Sequence, residues 1–139
     1  MTNVTLAESY LEKARVRLKM IKFLLEEKAY SDIIREAQEA VELALKGILR
    51  KIGVEPPKQH DVGYLLFEYR DKLPAEVAEQ VDKLASISKW LRKEREFSFY
   101  GDVDFIPTLE YTREDAEKAY GDLKTVVEAA EKVILPKNK

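Results

Sequence analysis

Between Ile33 and Ile52 an apolar stripe runs through Ile33, Ile34, Ala37, Ala40, Val41, Ala44, Leu45, Ile48, Leu49 and Ile52. Steps of three and four place all ten on one side of a helix of 3.6 residues per turn, and no strand can satisfy that spacing. Ser31 or Asp32 is the expected start, and Gly53 followed by Pro56-Pro57 the stop. A stripe this long needs apolar partners along its whole length, and the rest of the chain supplies them with the same period. Thr5-Leu6-Ala7-Glu8 has capping-box form and leads into Leu6, Tyr10, Ala14, Leu18, Ile21 and Leu25, a helix to about Glu27. Val62, Leu65, Leu66 and Tyr69 predict a short helix over about 61–72. Pro74 suits the first turn of another, with Val77, Val81, Leu84, Ala85 and Leu91 facing inward as far as Glu94 or Arg95. Residues 97–111 read as a loop. Thr112-Arg113-Glu114-Asp115 caps a last helix carrying Ala116, Ala119, Tyr120, Leu123, Val126, Val127, Ala130 and Ile134, which Pro136 ends. The expected fold is all-α: an antiparallel up-down bundle of four long helices plus one short connecting helix, with residues 1–139 as a single domain.

Without repeats or Gly-, Ser- or Pro-rich linkers there is no sign of a second domain, and 139 residues with 45% hydrophobic content suffice for a core. The chain has no cysteine and one histidine, which removes disulfides, thiolate zinc sites and two-histidine metal motifs. We therefore expect neither metal nor cofactor. A net charge of −2 argues against a broad electrostatic grip on duplex nucleic acid, leaving room for a local basic patch. The 36% charged content, mostly Glu, Lys and Arg, hints at a thermophilic source. Met1-Thr2-Asn3-Val4 lacks the basic and apolar regions of a secretion signal, and no window reaches the length of a membrane span. The expected location is cytoplasmic, without membrane contact.

Chemistry concentrates in Arg92-Lys93-Glu94-Arg95-Glu96-Phe97-Ser98-Phe99-Tyr100-Gly101-Asp102, where a charged helix end runs into an aromatic turn. A guanidinium offers a planar donor fork for phosphate and a ring offers a stacking face, so Arg95 and Tyr100 are candidate ligand-binding residues. The opposing reading makes Arg95 a helix-end cation and Tyr100 a loop plug. On the second helix Arg35, Glu39, Glu42 and Lys46 share one polar face, either as two intrahelical ion pairs or with Arg35 as a second phosphate contact. The latter requires up-down-up-down packing, which brings the end of the fourth helix to the start of the second. His60 and Asp61 are supporting candidates, with a helix cap as the ordinary alternative. Phe97, Phe99, Tyr100, Phe105 and Ile106 form either a stacking platform or a loop folded onto the bundle. Val16, Met20 and Phe23, with Ile87 and Trp90, lie off the main stripes and mark either thicker packing or a twofold interface.

The run Glu36-Ala37-Gln38-Glu39-Ala40-Val41-Glu42-Leu43-Ala44-Leu45-Lys46, then Gly53, Pro56-Pro57, His60-Asp61, and finally Arg95 with Tyr100-Gly101-Asp102, resembles the HEPN domain over roughly residues 5–135. The resemblance is to the small stand-alone prokaryotic HEPN proteins, often encoded beside a minimal nucleotidyltransferase. It implies a helical bundle, a homodimer, and in active members a metal-independent ribonuclease with an arginine, four to six spacers and a histidine at the dimer cleft. Here Tyr100 stands in the histidine's place. Imidazole, with a reference pKa of about 6.5, exchanges protons at neutral pH, whereas a phenol of about 10 makes a poor base. The resemblance therefore implies a non-catalytic or weakly catalytic nucleotide- or RNA-binding module, partnered with a minimal nucleotidyltransferase in a toxin–antitoxin-like or stress-response pair. Two alternatives stand beside it: a toxin ribonuclease with a degenerate Arg-x4-Tyr motif, and a dimeric scaffold without a ligand of its own.

Overall fold

The computed structural model describes residues 2–58 and 62–135, with side chains from residue 6 onward. His60 and Asp61, and the stop at Pro136, lie outside the described residues. The chain runs α1 (Thr2–Glu26), α2 (Tyr30–Lys51), α3 (Tyr64–Glu68), one 3-10 turn (Arg70–Lys72), α4 (Ala75–Ala78), α5 (Val81–Phe99), α6 (Pro107–Glu110) and α7 (Arg113–Ile134). Among the described residues no helix is long and apolar enough to cross a membrane. The expected all-α bundle is what forms, with α1, α2, α5 and α7 as its long helices.

The central position of α2 follows from its stripe. Every apolar residue from Ile33 to Leu49 in that stripe is buried, and α1, α5 and α7 all pack on this one helix. Small residues let neighbouring helices come near α2, as at Gly47, where a Cβ would lie 3.1 Å from Ile134 Cδ1 and 3.3 Å from the Ala7 carbonyl. The N-terminal part of α1 thus meets the C-terminal ends of α2 and α7. At the other end, α5 finishes beside the start of α2, so the four long helices alternate in direction.

Several boundaries differ from the sequence reading. Helix α1 starts at Thr2, upstream of the capping box at Thr5. Its most buried large side chains are Leu11 and Ile21, while Leu6, Tyr10, Leu18 and Leu25 are half-buried. Helix α2 begins at Tyr30 with Ala29 as an N-cap that makes no side-chain bond, so neither Ser31 nor Asp32 opens it. The third helix shrinks to Tyr64–Glu68 and the 3-10 turn. Pro74 is the residue before α4 rather than in its first turn, and the single fourth helix is two, separated at Glu79 and Gln80. The second piece continues through Phe99, a turn past the predicted end. Thr112 caps α7 as expected: its Oγ1 accepts from the Asp115 amide at 3.2 Å, and the Asp115 carboxylate accepts from the Thr112 amide at 2.9 Å.

The segment read as a loop over 97–111 is a tight fold-back carrying α6. Gly101 makes it fold, with φ of +69° and Phe105 O so near that a Cβ would lie 2.4 Å from it. The Phe105 ring meets Phe97 at 5.5 Å and Tyr111 at 5.6 Å, both edge-on. Tyr111 then donates its hydroxyl to Glu94 Oε1 at 2.7 Å, fastening the returning chain to α5. Burial raises the Tyr111 phenol well above its usual range, and the bond to the Glu94 carboxylate adds to the shift.

Candidate anion-binding site

Arg95 lies inside α5, on the side turned to α2. Its Nε donates to Gln38 Oε1 at 2.8 Å and its Nη2 donates to Glu39 Oε2 at 2.6 Å. Nη1 enters neither contact. Gln38 is 2% exposed, and its amide donates in turn to Glu42 Oε1 at 3.2 Å; the other Glu42 oxygen accepts from Lys46 Nζ at 3.0 Å. Arg95 thus joins a polar layer set across the edge of the apolar core, and the reading of it as a helix-end cation does not hold.

Arg35, one turn before Glu39, brings its Nε to 3.9 Å from the same Glu39 Oε2 that Arg95 holds. Its guanidinium carbon stands 4.6 Å from the centre of the Phe99 ring, within range for a cation–π contact. Phe99 meets Tyr100 edge-on at 4.8 Å. Tyr100, immediately past the end of α5, is 72% exposed, so it does not plug the loop onto the bundle. Arg95, Arg35 and Tyr100 are therefore linked through Glu39, expected only as an intrahelical partner of Arg35, and Phe99, one of the rings of the candidate stacking platform. Two guanidiniums converge on one carboxylate, leaving the cluster with an excess of one positive charge beside exposed rings.

Both intrahelical pairs expected on α2, Arg35 with Glu39 and Glu42 with Lys46, form. Gln38 was the missed member. Its signal lay in the spacing, because position 38 is four after Ile34 and three before Val41, a place on the apolar stripe where a polar side chain must find partners inside the fold. Of the predicted stacking platform, Phe97, Phe99, Tyr100 and Ile106 are exposed, whereas Phe105 is partly buried against the core. Ile87 is buried within the chain, and Trp90 is partly buried and tied to α7 by its Nε1 bond to Asp122 at 2.9 Å. Val16, Met20 and Phe23 remain exposed along α1.

The geometry can now be set beside known proteins. The model of the HEPN domain matches residues 7–133, nearly all of the described helices. The chain belongs to the HEPN domain family. A Methanocaldococcus jannaschii protein named "Putative toxin MJ1304" is 26% identical over 132 residues, covering 91% of this chain and 86% of its own. The crystal structure of ST0689, an archaeal HEPN homologue, superposes with a TM-score of 0.68 at 22% identity, over 90% of this chain and 94% of that one. The bundle is thus the HEPN fold, and a toxin-like role fits the family and the named relative. In this HEPN chain the two arginines, the glutamate between them and Tyr100 stand at the end of α5, where the Arg-x4-Tyr segment leaves the helix.

Proposed function

We propose that this HEPN protein is a homodimeric nucleotide- or RNA-binding module, paired with a minimal nucleotidyltransferase in a toxin–antitoxin-like or stress-response system. The observation that carries the reading is the convergence of Arg35 and Arg95 on Glu39 beside the exposed Phe99 and Tyr100. A phosphate oxygen can replace the Glu39 carboxylate oxygen as the acceptor for both guanidiniums, and a base can stack on the adjacent rings. Electrostatic capture of this kind does not require a proton-transfer group, and a tyrosine supplies none near neutral pH. The exposed Val16, Met20 and Phe23 at i, i+4 and i+7 on α1 supply an apolar stripe for a twofold contact.

Titration of mononucleotides and short unstructured RNA against wild type, Arg95→Ala and Arg35→Ala, with melting followed in parallel, tests the site. Binding should weaken in both variants by more than a few degrees of lost melting temperature can account for. Unchanged binding in both would refute the assignment. The ribonuclease alternative draws on the toxin name of the M. jannaschii relative. Metal-independent cleavage of RNA by the purified protein, abolished by both Arg95→Ala and Tyr100→Phe, would promote it over the binding module.

A further inference from the structure

On the side of α5 opposite the Arg95 face, the short helix α3 leaves a hollow of about 380 Å³ lined by Tyr64, Phe67, Asp82, Ala85, Ser86 and Lys89. That volume lies within the range of small-ligand sites. Two features separate it from an ordinary surface dent. Its rings are at i and i+3 on α3, and both stay about half exposed, Tyr64 at 50% and Phe67 at 46%, although Val62 and Leu66 beside them are fully buried. Its walls are also fixed relative to each other, because α3 approaches α5 so closely at Gly63 that a Cβ there would lie 2.8 Å from Ala85 Cα and 3.2 Å from Ser88 Cβ.

The polar groups are spread along α5 in a definite order. Asp82, Ser86 and Lys89 follow at i, i+4 and i+7, so they share the face turned to α3, with the Cα positions of Asp82 and Lys89 about 10 Å apart along the axis. Ala85 keeps the floor between them low. At the acidic end, the Arg70 guanidinium lies 5.6 Å from the centre of the Phe67 ring and 4.0 Å from Asp82. Arg70 thus reaches both Phe67 and Asp82 at the rim of the hollow.

A pair of rings over a small-residue floor suits a flat heterocycle, a carboxylate at one end accepts hydrogen bonds from an exocyclic amino group, and an ammonium at the other attracts a phosphate. Asp82 and Lys89 stand two turns apart on α5, a spacing of the same order as the span from a base edge to the phosphate of one nucleotide. We propose that this α3–α5 hollow is a second binding site, which takes a phosphorylated nucleoside with an amino-bearing base: the ring stacks on Tyr64 and Phe67, the amino group faces Asp82, and the phosphate pairs with Lys89. Such a nucleotide comes either free in solution or as the phosphorylated end of an RNA strand. The site does not use Arg95, Arg35 or Tyr100 and stands whether or not those residues bind an anion.

The test follows backbone and ring resonances of the full chain by NMR while AMP, UMP, inorganic phosphate or a 5′-phosphorylated adenosine tetramer is added. Each titration is run on wild type, Phe67→Ala, Lys89→Ala and Arg95→Ala. AMP should shift Tyr64, Phe67 and Lys89 saturably in wild type and equally in Arg95→Ala, with affinity falling at least fivefold in Phe67→Ala and in Lys89→Ala. UMP should bind more weakly than AMP. A tetramer that binds more tightly than AMP with the same variant pattern identifies an RNA end as the source; equal or weaker binding identifies the free nucleotide. The proposal is overturned if AMP fails to saturate at millimolar concentration, if inorganic phosphate shifts the same residues equally, if UMP equals AMP, or if Arg95→Ala abolishes the shifts around α3. Phe67 and Lys89 are exposed, and a melting curve for each of the three variants verifies that it is folded.

Discussion

Glu39→Gln separates what Glu39 does for the fold from what it does to an incoming anion, and the two effects should run in opposite directions. The carboxylate accepts a charge-assisted bond from Arg95 at 2.6 Å and lies 3.9 Å from Arg35 Nε. Hydrogen bonds to charged groups contribute about 1.5–3 kcal/mol, but with both side chains a quarter to a third exposed the lower half of that range applies. The i, i+4 pair adds about 0.3–0.5 kcal/mol. Glutamine keeps one acceptor, so the net loss should be about 1–2 kcal/mol, a fall of about 3–6 °C in melting temperature for a chain of this size. Anion affinity should move the other way, because the carboxylate repels a phosphate at the same guanidiniums. At a separation of about 5 Å and an effective dielectric constant between about 20 and about 80, that repulsion is about 1–3 kcal/mol, or at least about fivefold in affinity. Calorimetric titration of AMP in parallel with thermal denaturation reads both quantities. A variant that melts lower and binds AMP no better than wild type would refute the idea that Glu39 occupies the place of a ligand phosphate.

Gly101→Ala places a Cβ 2.4 Å from the Phe105 carbonyl at a φ of +69°, so it should cost about 2–4 kcal/mol and raise amide exchange across 100–111 while leaving α7 protected. Tyr111→Phe should cost about 1 kcal/mol at pH 7 through loss of the bond to Glu94. Because the folded phenol is raised above the unfolded value of about 10, its contribution is fully present below pH 10 and is lost as pH rises toward the folded value; chemical denaturation should therefore show wild-type stability falling above pH 10 more steeply than that of Tyr111→Phe. Met20→Asp and Phe23→Asp, both on exposed α1 positions, should leave the melting of the protomer nearly unchanged and convert a dimer to a monomer in sedimentation; an unaltered mass would exclude the α1 stripe as the interface.

The helices that obey one period along one partner were legible from the residues alone. Helix α2 packs its stripe on three neighbours and needs no local signal beyond spacing, and Thr112 with Asp115 fixes the start of α7 through a bond pattern visible in four residues. The break at Glu79 and Gln80 had no such signal. Val77 and Val81 are spaced for one continuous helix, yet α4 packs against α7 and α5 against α2, so the chain must change direction between them to bury both. That is a tertiary demand. At the first helix the capping-box sequence Thr5-Leu6-Ala7-Glu8 lies inside a helix that begins at Thr2.

The end of α5 was misplaced for a different reason, and the error bears on the site. Following only large apolar residues, the stripe stops at Leu91, but the fully buried Ser98 continues it as Ser88 fills it before Leu91, with the Ser98 hydroxyl bonded to the Arg95 carbonyl at 3.0 Å. Small polar residues hold core positions there because α5 lies close to its neighbours, and their own hydrogen bonds satisfy them. Once the helix runs to Phe99, Arg95 no longer caps anything: it projects across to α2, where the buried Gln38 needs a donor for its oxygen. Gln38, in turn, occupies a stripe position and is fixed in register by the core on either side of it. The depth and angle of the Arg95 guanidinium are therefore set by core packing, whereas Arg35 and Tyr100 are set by the edge of the bundle. Arg95 variants consequently perturb fold and site together, and Glu39, which touches both arginines yet projects from the polar face, is the position where the two can be told apart.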